Sequence, residues 1–225
     1  IDVPDYNEIE GLVDFEAIKA FRRRGLNPQH PVVRGTAQNP DIYFQGREAQ
    51  NKFYNEVPSI VEYYMKEYGK ITGRKYNLFD YYGAPDAEYV IVAMGSVCDT
   101  VEEVIDYLNG QGEKTGLIRV HLYRPFSETH FLSVLPNTVK RIAVLDRTKE
   151  PGSPGEPLYL DVVKVLSKKP ALSKLDTNYI IGGRYGLGSK DTRPSQILAV
   201  FKNLKQDKQK DRFTIGIVDD VTDTS

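Results

Sequence analysis

The sequence predicts an α/β protein: an open, mostly parallel sheet of five strands with flanking helices, preceded by a helical and extended N-terminal segment. Two observations lead there. Short β-branched apolar runs recur through the second half of the chain, each of the length and composition of a strand buried on both faces. Between them lie segments whose apolar residues repeat at helical spacing, and strand–helix alternation is the signature of a parallel sheet with crossover helices.

The elements follow in order. "EYVIVAM" (88–94) is the first strand. "DTVEEVIDYLNGQG" (99–112) follows as a helix, with Val101, Val104, Ile105 and Leu108 on one stripe and Gly110 and Gly112 as its stop. "TGLIRVHLY" (115–123) is a strand and "SETHFLSVL" (127–135) a short helix, which opens on Ser127 but carries His130 where a capping box needs Glu. "KRIAVLD" (140–146), "NYIIGG" (178–183) and "RFTIGIVDD" (212–220) complete the strands. "LYLDVVKVLS" (158–167) and "PSQILAVFKNLKQ" (194–206) complete the helices, the second with Pro194 in its first turn.

Residues 1–87 read differently. "DFEAIKAFRRRG" (14–25) is a helix stopped by Gly25, and "NPQHPVVRGTAQNPDIYFQ" (27–45) is an extended, proline-bearing stretch. In "REAQNKFYNEVPSIVEYYMKEYG" (47–69), Ala49, Phe53, Val57, Ile60, Val61, Tyr64, Met65 and Tyr68 share one helical stripe. Pro58 predicts a kink there, or a second helix starting after Glu56. A stripe with so little accompanying core reads as the tail of another domain. The chain therefore divides into that tail (1–70), a tyrosine-rich connector (71–87) and the α/β domain (88–225).

Composition narrows the functions. Thirty basic against 31 acidic residues give a net charge of −1, and no basic stripe interleaved with aromatics marks a nucleic-acid surface. No apolar run reaches the length of a membrane span, and the N-terminus is not a signal peptide. The single cysteine, Cys98, cannot form an internal disulfide, a structural zinc site or an iron–sulfur ligand set, so the expected location is the cytoplasm or another reducing compartment. The three histidines do not cluster, and a first residue of Ile rather than Met suggests a processed chain or a piece of a longer one.

Ligands of open parallel sheets bind beyond the carboxyl ends of the strands. That rule marks Gly95–Asp99, Arg124–Phe126, Asp146–Glu150 and Gly182–Asp191. Gly95 and Ser96 before a helix serve either as a cap and tight turn or as an anion site. Cys98 reads as packing or as a thiol of lowered pKa. "DRTKEPGSPGEP" (146–157) is a lid or a contact surface. Asp219 and Asp220 close the last strand but, as neighbours in extended chain, point to opposite faces and make a poor joint metal site.

"IIGGRYGLGSKDTRP" (180–194) imitates a phosphate loop. From Gly183 it reads Gly, four residues, Gly188, then Ser189 and Lys190, whereas a P-loop needs Lys before the hydroxyl residue. The transposition breaks the division of labour between a phosphate-binding lysine and a magnesium-binding hydroxyl. The stretch reads instead as a shaped turn at a domain boundary, where Gly186 and Gly188 allow close backbone approach.

Several strings together resemble one family. "HPVVRGTAQNPDIYFQGREAQNKFYNEVP", "AMGSVCDTVEEVIDYL", "VHLYRPF", "LDRTKEPGSPGEPLYLDV", "GGRYGLGSKDTRP" and "FTIGIVDDVT", in this order, are similar to pyruvate:ferredoxin (flavodoxin) oxidoreductases. The resemblance implies an internal fragment: the end of a first, pyrimidine-binding-type domain, then a second domain like the C-terminal domain of transketolase. It implies an enzyme that oxidatively decarboxylates pyruvate with thiamine diphosphate and Mg²⁺, acetylates coenzyme A, and reduces ferredoxin or flavodoxin through [4Fe–4S] clusters. It further implies that the fragment holds none of these cofactors, is inactive alone, has the rest of its polypeptide as partner, and belongs to a homodimer. Arg124, Gly186, Gly188 and Lys190 stand as candidate binding residues, and no catalytic or metal-ligating role is assigned. Three alternatives remain open: an NADP⁺-linked enzyme of the same family, a free-standing nucleotide- or coenzyme A-binding domain, and a pure assembly module resting on the 47–69 helix.

Overall fold

In a computed structural model the structure describes residues 3–33, 35, 37–168, 179–218 and 225. Asn178, Asp219 and Asp220, assigned above to strands, lie outside the described residues. The chain separates into two units, Ile1–Asn77 and Leu78–Ser225.

The first unit is helical: α1 (Tyr6–Glu10), α2 (Phe15–Arg23), α3 (Pro40–Glu48) and α4 (Asn51–Thr72). Asp14 caps α2, its carboxylate accepting from the Ala17 N–H at 2.8 Å. Two expectations need correction. Residues 40–45 are helical rather than extended, because Pro40 occupies the first turn of α3, where a missing N–H costs nothing. Helix α4 runs through Pro58, and the interruption falls instead between Glu48 and Asn51. Helix α4 ends where Gly73 turns left-handed (φ 70°) and returns its N–H to the Gly69 carbonyl at 2.9 Å. None of the described residues of this unit is fully buried. Phe21, Phe44 and Phe53 are among its large exposed apolar side chains.

The second unit is the α/β domain. Its strands are β1 (Phe79–Gly83), β2 (Tyr89–Met94), β3 (Thr115–Val120), β4 (Arg141–Asp146), β5 (Ile180–Arg184) and β6 (Phe213–Thr214). Its helices are α5 (Val97–Asn109), α6 (Glu128–Val134), α7 (Pro157–Leu166) and α8 (Pro194–Leu204). The sheet order is β1-β3-β2-β4-β5-β6, parallel except that β1 runs antiparallel to β3, pairing Tyr81 with Ile118. The sheet thus has six strands rather than five, and the extra one lies in the segment read as a connector. The last strand is shorter than expected, since Gly216 turns to φ 96° just beyond it.

Alternation along the strands sorts the core into two layers. Ile91, Ala93, Leu117, Ala143, Leu145 and Ile181 meet α5 and α8 on one face, in a cluster with Val101, Ile105, Ile197 and Phe201. The intervening Val90, Val92, Ile118, Ile142 and Val144 are equally buried on the other face, the side of α6 and α7. Edge strand β1 is anchored by Phe79, whose ring meets those of Phe126 and Phe131 edge-on at 5.1 and 5.6 Å. At the start of α6, Ser127 Oγ and His130 Nδ1 lie 2.6 Å apart, a contact between the two side chains that leaves the helix without a side-chain cap, as the missing Glu predicts.

Helix α7 is held by Asp146 at the end of β4. Its buried carboxylate accepts the Leu158 and Tyr159 N–H groups at 2.9 and 3.1 Å, at the positive end of the helix. Burial raises the Asp146 pKa, and the two N–H bonds only partly oppose this. In the window between the unfolded value and this raised one the folded state binds the extra proton, so the contribution of Asp146 is present at low pH and lost as pH rises. Asp146→Asn removes that titration. As pH rises through the carboxylate range, the wild-type urea midpoint should fall relative to that of the variant. A pH-independent difference would contradict this account of Asp146.

Candidate functional site

The chain order places β3 on one side of β2 and β4 on the other, so the topological switch point lies between β2 and β4. Connections leaving neighbouring strands in opposite directions open a crevice there, beyond the carboxyl ends. A cavity of about 320 Å³ occupies that position, lined by Ser96 and Thr100 after β2, Arg147 after β4, and Tyr185, Ser189 and Lys190 after β5. A second cavity of about 220 Å³ shares Tyr185, Gly186 and Lys190 and continues past Leu187 to Ile215 and Ile217, with Arg184 in its wall.

The β5 loop shapes both. Gly186, Gly188 and Ser189 all have left-handed φ values, 66°, 61° and 61°. A Cβ on Gly186 would sit 3.2 Å from Arg147 Nε, which donates to the Gly186 carbonyl at 2.9 Å. Glycine here lets the backbone approach and orient the guanidinium. Tyr185 supports the floor, donating its hydroxyl to the Met94 carbonyl at 3.2 Å, and burial pushes its pKa up to about 12.

The phosphate-loop resemblance is settled by geometry. In a P-loop the helix starts at the lysine and hydroxyl pair, but here a single 3₁₀ turn (Leu187–Ser189) is followed by extended Lys190, and α8 begins only at Pro194. The loop is a shaped turn.

Of the candidate residues, Gly186 and Lys190 line the crevice and Gly188 bends the loop that carries them. Arg124 is elsewhere. Its guanidinium stacks over the Tyr123 ring at 3.9 Å and pairs with Asp161 at 2.6 Å, so its charge is already answered. Arg147 and Tyr185 were missed as individuals, although the Asp146–Glu150 loop was marked. The signal that finds Arg147 is a cation directly after a buried strand, adjacent to the switch point.

The 146–157 loop also hides a charge pair. Glu156 is 1% exposed and Arg184 5%, with Arg184 Nη1 3.5 Å from Glu156 Oε1. Arg184 Nε donates to Thr214 Oγ1 at 3.0 Å, and its remaining nitrogen to the Arg212 carbonyl. The pair binds α7 and β5 to the strand at the edge, a structural use of charge rather than a reactive one.

Cys98 is fully buried at the start of α5 among apolar side chains, and burial pushes its thiol up to about 11. At pH 8 a disulfide reagent should label it on the order of 100-fold more slowly in the folded chain than in urea. Equal rates would contradict its placement. His121 pairs with Asp80 at 3.0 Å at the β1 edge, away from Ser127 and His130. Among the described residues no His, Cys, Asp or Glu group of three or more stands ready to hold a metal. Nor is any described helix long and apolar enough to cross a membrane.

Fold and site together define a class: a doubly wound α/β domain with a cationic crevice at its switch point, preceded by a helical unit in which none of the described residues is buried. Comparison with known proteins agrees. The model for pyruvate:ferredoxin oxidoreductase core domain II matches residues 87–197, and that for the thiamine diphosphate-binding region of pyruvate flavodoxin/ferredoxin oxidoreductases matches residues 1–66. The chain is 59% identical over 225 residues to both the pyruvate:ferredoxin oxidoreductase of Moorella thermoacetica and the pyruvate-flavodoxin oxidoreductase of Klebsiella pneumoniae. Each alignment covers 100% of this chain and 19% of the relative. Among solved structures, the 2-oxoglutarate:ferredoxin oxidoreductase of Magnetococcus marinus is similar at 16% identity with a TM-score of 0.40, over 63% of this chain and 22% of that one. The chain belongs to the pyruvate:ferredoxin (flavodoxin) oxidoreductase family and spans about a fifth of the length of the curated relatives it matches.

Proposed function

We propose that this chain is a structural and assembly portion of an enzyme that converts pyruvate and coenzyme A to acetyl-coenzyme A and carbon dioxide. The reaction releases one proton and two electrons, and the electrons pass to ferredoxin or flavodoxin. In this reading residues 1–70 close the thiamine-binding first domain, 71–77 connect, and 78–225 form the second domain, with β1 as its first strand. Thiamine diphosphate with its Mg²⁺ and the iron–sulfur clusters are held by other parts of the polypeptide, which works as a homodimer in a reducing compartment. What carries the reading is identity of 59% along the entire chain to relatives about five times as long. One structural fact supports it. The helical unit has exposed Phe21, Phe44 and Phe53, and none of its described residues is buried, as expected where the missing parts of a domain would cover them.

Intact mass and peptide mapping of the polypeptide isolated from its source test the reading. A chain several times longer, with cysteine-rich peptides able to ligate clusters, is expected. A source polypeptide of this length alone would overturn it.

A further inference from the structure

The switch-point crevice has properties that the assembly role does not use. Arg147 Nε is tied to the Gly186 carbonyl, but neither of its terminal nitrogens has a hydrogen bond or ion pair among the described residues. Lys190 likewise has no carboxylate within ion-pair distance among them, although it shares the cavity wall with Asp191. Four hydroxyls lining the same cavity, Ser96, Thr100, Ser189 and Thr192, make no hydrogen bond among the described residues. Ser96 is the N-cap of the 13-residue α5, yet its side chain leaves the cap unmade. Asp191 is the one carboxylate in the lining and opposes these charges.

We propose that this crevice is a binding site for a phosphoryl group, held between the Arg147 guanidinium and the Lys190 ammonium, with the Ser96 and Thr100 hydroxyls at the α5 N-terminus completing the donor set. Arginine presents a planar fork to phosphate oxygens and lysine a point charge, and hydroxyls with helix-terminal N–H groups supply neutral donors. The volume of about 320 Å³ accommodates a phosphate with part of an ester. The adjoining cavity, bounded by Leu187, Ile215 and Ile217, offers an apolar wall for the remainder of a nucleotide-sized molecule. This site differs from a P-loop: no hydroxyl follows Lys190 to hold a metal, and binding requires no Mg²⁺. The inference stands on the crevice alone and is independent of how pyruvate is processed.

Calorimetric titration of the full 225-residue chain in phosphate-free buffer tests it, with inorganic phosphate, ADP and adenosine as probes and no divalent cation present. Phosphate and ADP should each bind saturably at one site, and adenosine should not. ADP binding about tenfold tighter than phosphate identifies a phosphate ester as the ligand, and equal binding identifies free phosphate. Arg147→Gln and Lys190→Gln, both exposed substitutions, should each weaken binding about tenfold or more, while Asp191→Asn should tighten it. Absence of saturable binding up to about 10 mM, or affinity unchanged in both the arginine and lysine variants, would overturn the proposal.

Discussion

Replacing Glu156 with alanine is expected to lower the stability of the α/β domain by about 3–5 kcal/mol. Glu156 sits 1% exposed at the N-cap of α7 and faces Arg184, 5% exposed on β5. Without the carboxylate the guanidinium remains in the interior with only the Thr214 hydroxyl and the Arg212 carbonyl as partners, and an uncompensated buried charge is costly. The pair itself is not strongly stabilising. Glu156 Oε2 has no hydrogen-bond partner, and the contact to Arg184 is long at 3.5 Å. A second replacement, Arg184→Met, should therefore recover most of the loss. In urea unfolding followed by circular dichroism, Glu156→Ala should lower the midpoint by about 1–3 M and the double variant should restore it. A single variant with an unchanged midpoint, or a double variant less stable than the single, would show that the charges are not coupled.

The second large effect belongs to Gly83, the last residue of β1. Its φ of 124° is one that side chains rarely adopt, and an added Cβ would lie 2.4 Å from the Thr115 carbonyl oxygen and 2.7 Å from Gly116 Cα. Both obstacles are backbone of the paired strand β3 and cannot rotate away. Gly83→Ala combines backbone strain with overpacking and should cost about 2–5 kcal/mol. Because β1 is an edge strand, the expected consequence is local: amides of β1 lose hydrogen-exchange protection while those of β4 and β5 keep theirs. Unchanged protection in β1 would show that the strand adapts.

These two residues also mark what the sequence could and could not disclose. The four central strands were legible because each carries a short apolar, mostly β-branched core, longest in β2 and β4 and reduced to Leu117–Ile118 in β3 and Ile180–Ile181 in β5. Strand β1, "FDYYG", was not: one face alone is buried, its aromatic residues look like a polar connector, and its antiparallel partner lies beyond β2 and α5 in the chain. Helix α3 was hidden by a proline that reads as a breaker until its place in the first turn is known. At the crevice, the rule for open sheets marked the loops that line the cavity, and Gly186 and Lys190 lie in one of them. Arg147 emerged only when the fold set β2, β4 and β5 side by side. The setting of Arg124 was hidden for the converse reason: Asp161, which pairs with it, comes from α7 and is remote in sequence. Charges that are spent and charges that are free look identical until their neighbours are known.

The measurement that bears most directly on the account is coenzyme A-dependent oxidation of pyruvate, assayed with ferredoxin and with flavodoxin as acceptors. It should be made on the polypeptide purified from its source and on the 225-residue chain alone. The account predicts carbon dioxide release and acceptor reduction in a 1:2 ratio of product to electrons with the source polypeptide, and none with the isolated chain. Turnover by the 225-residue chain, or a source polypeptide that leaves pyruvate untouched, would contradict it.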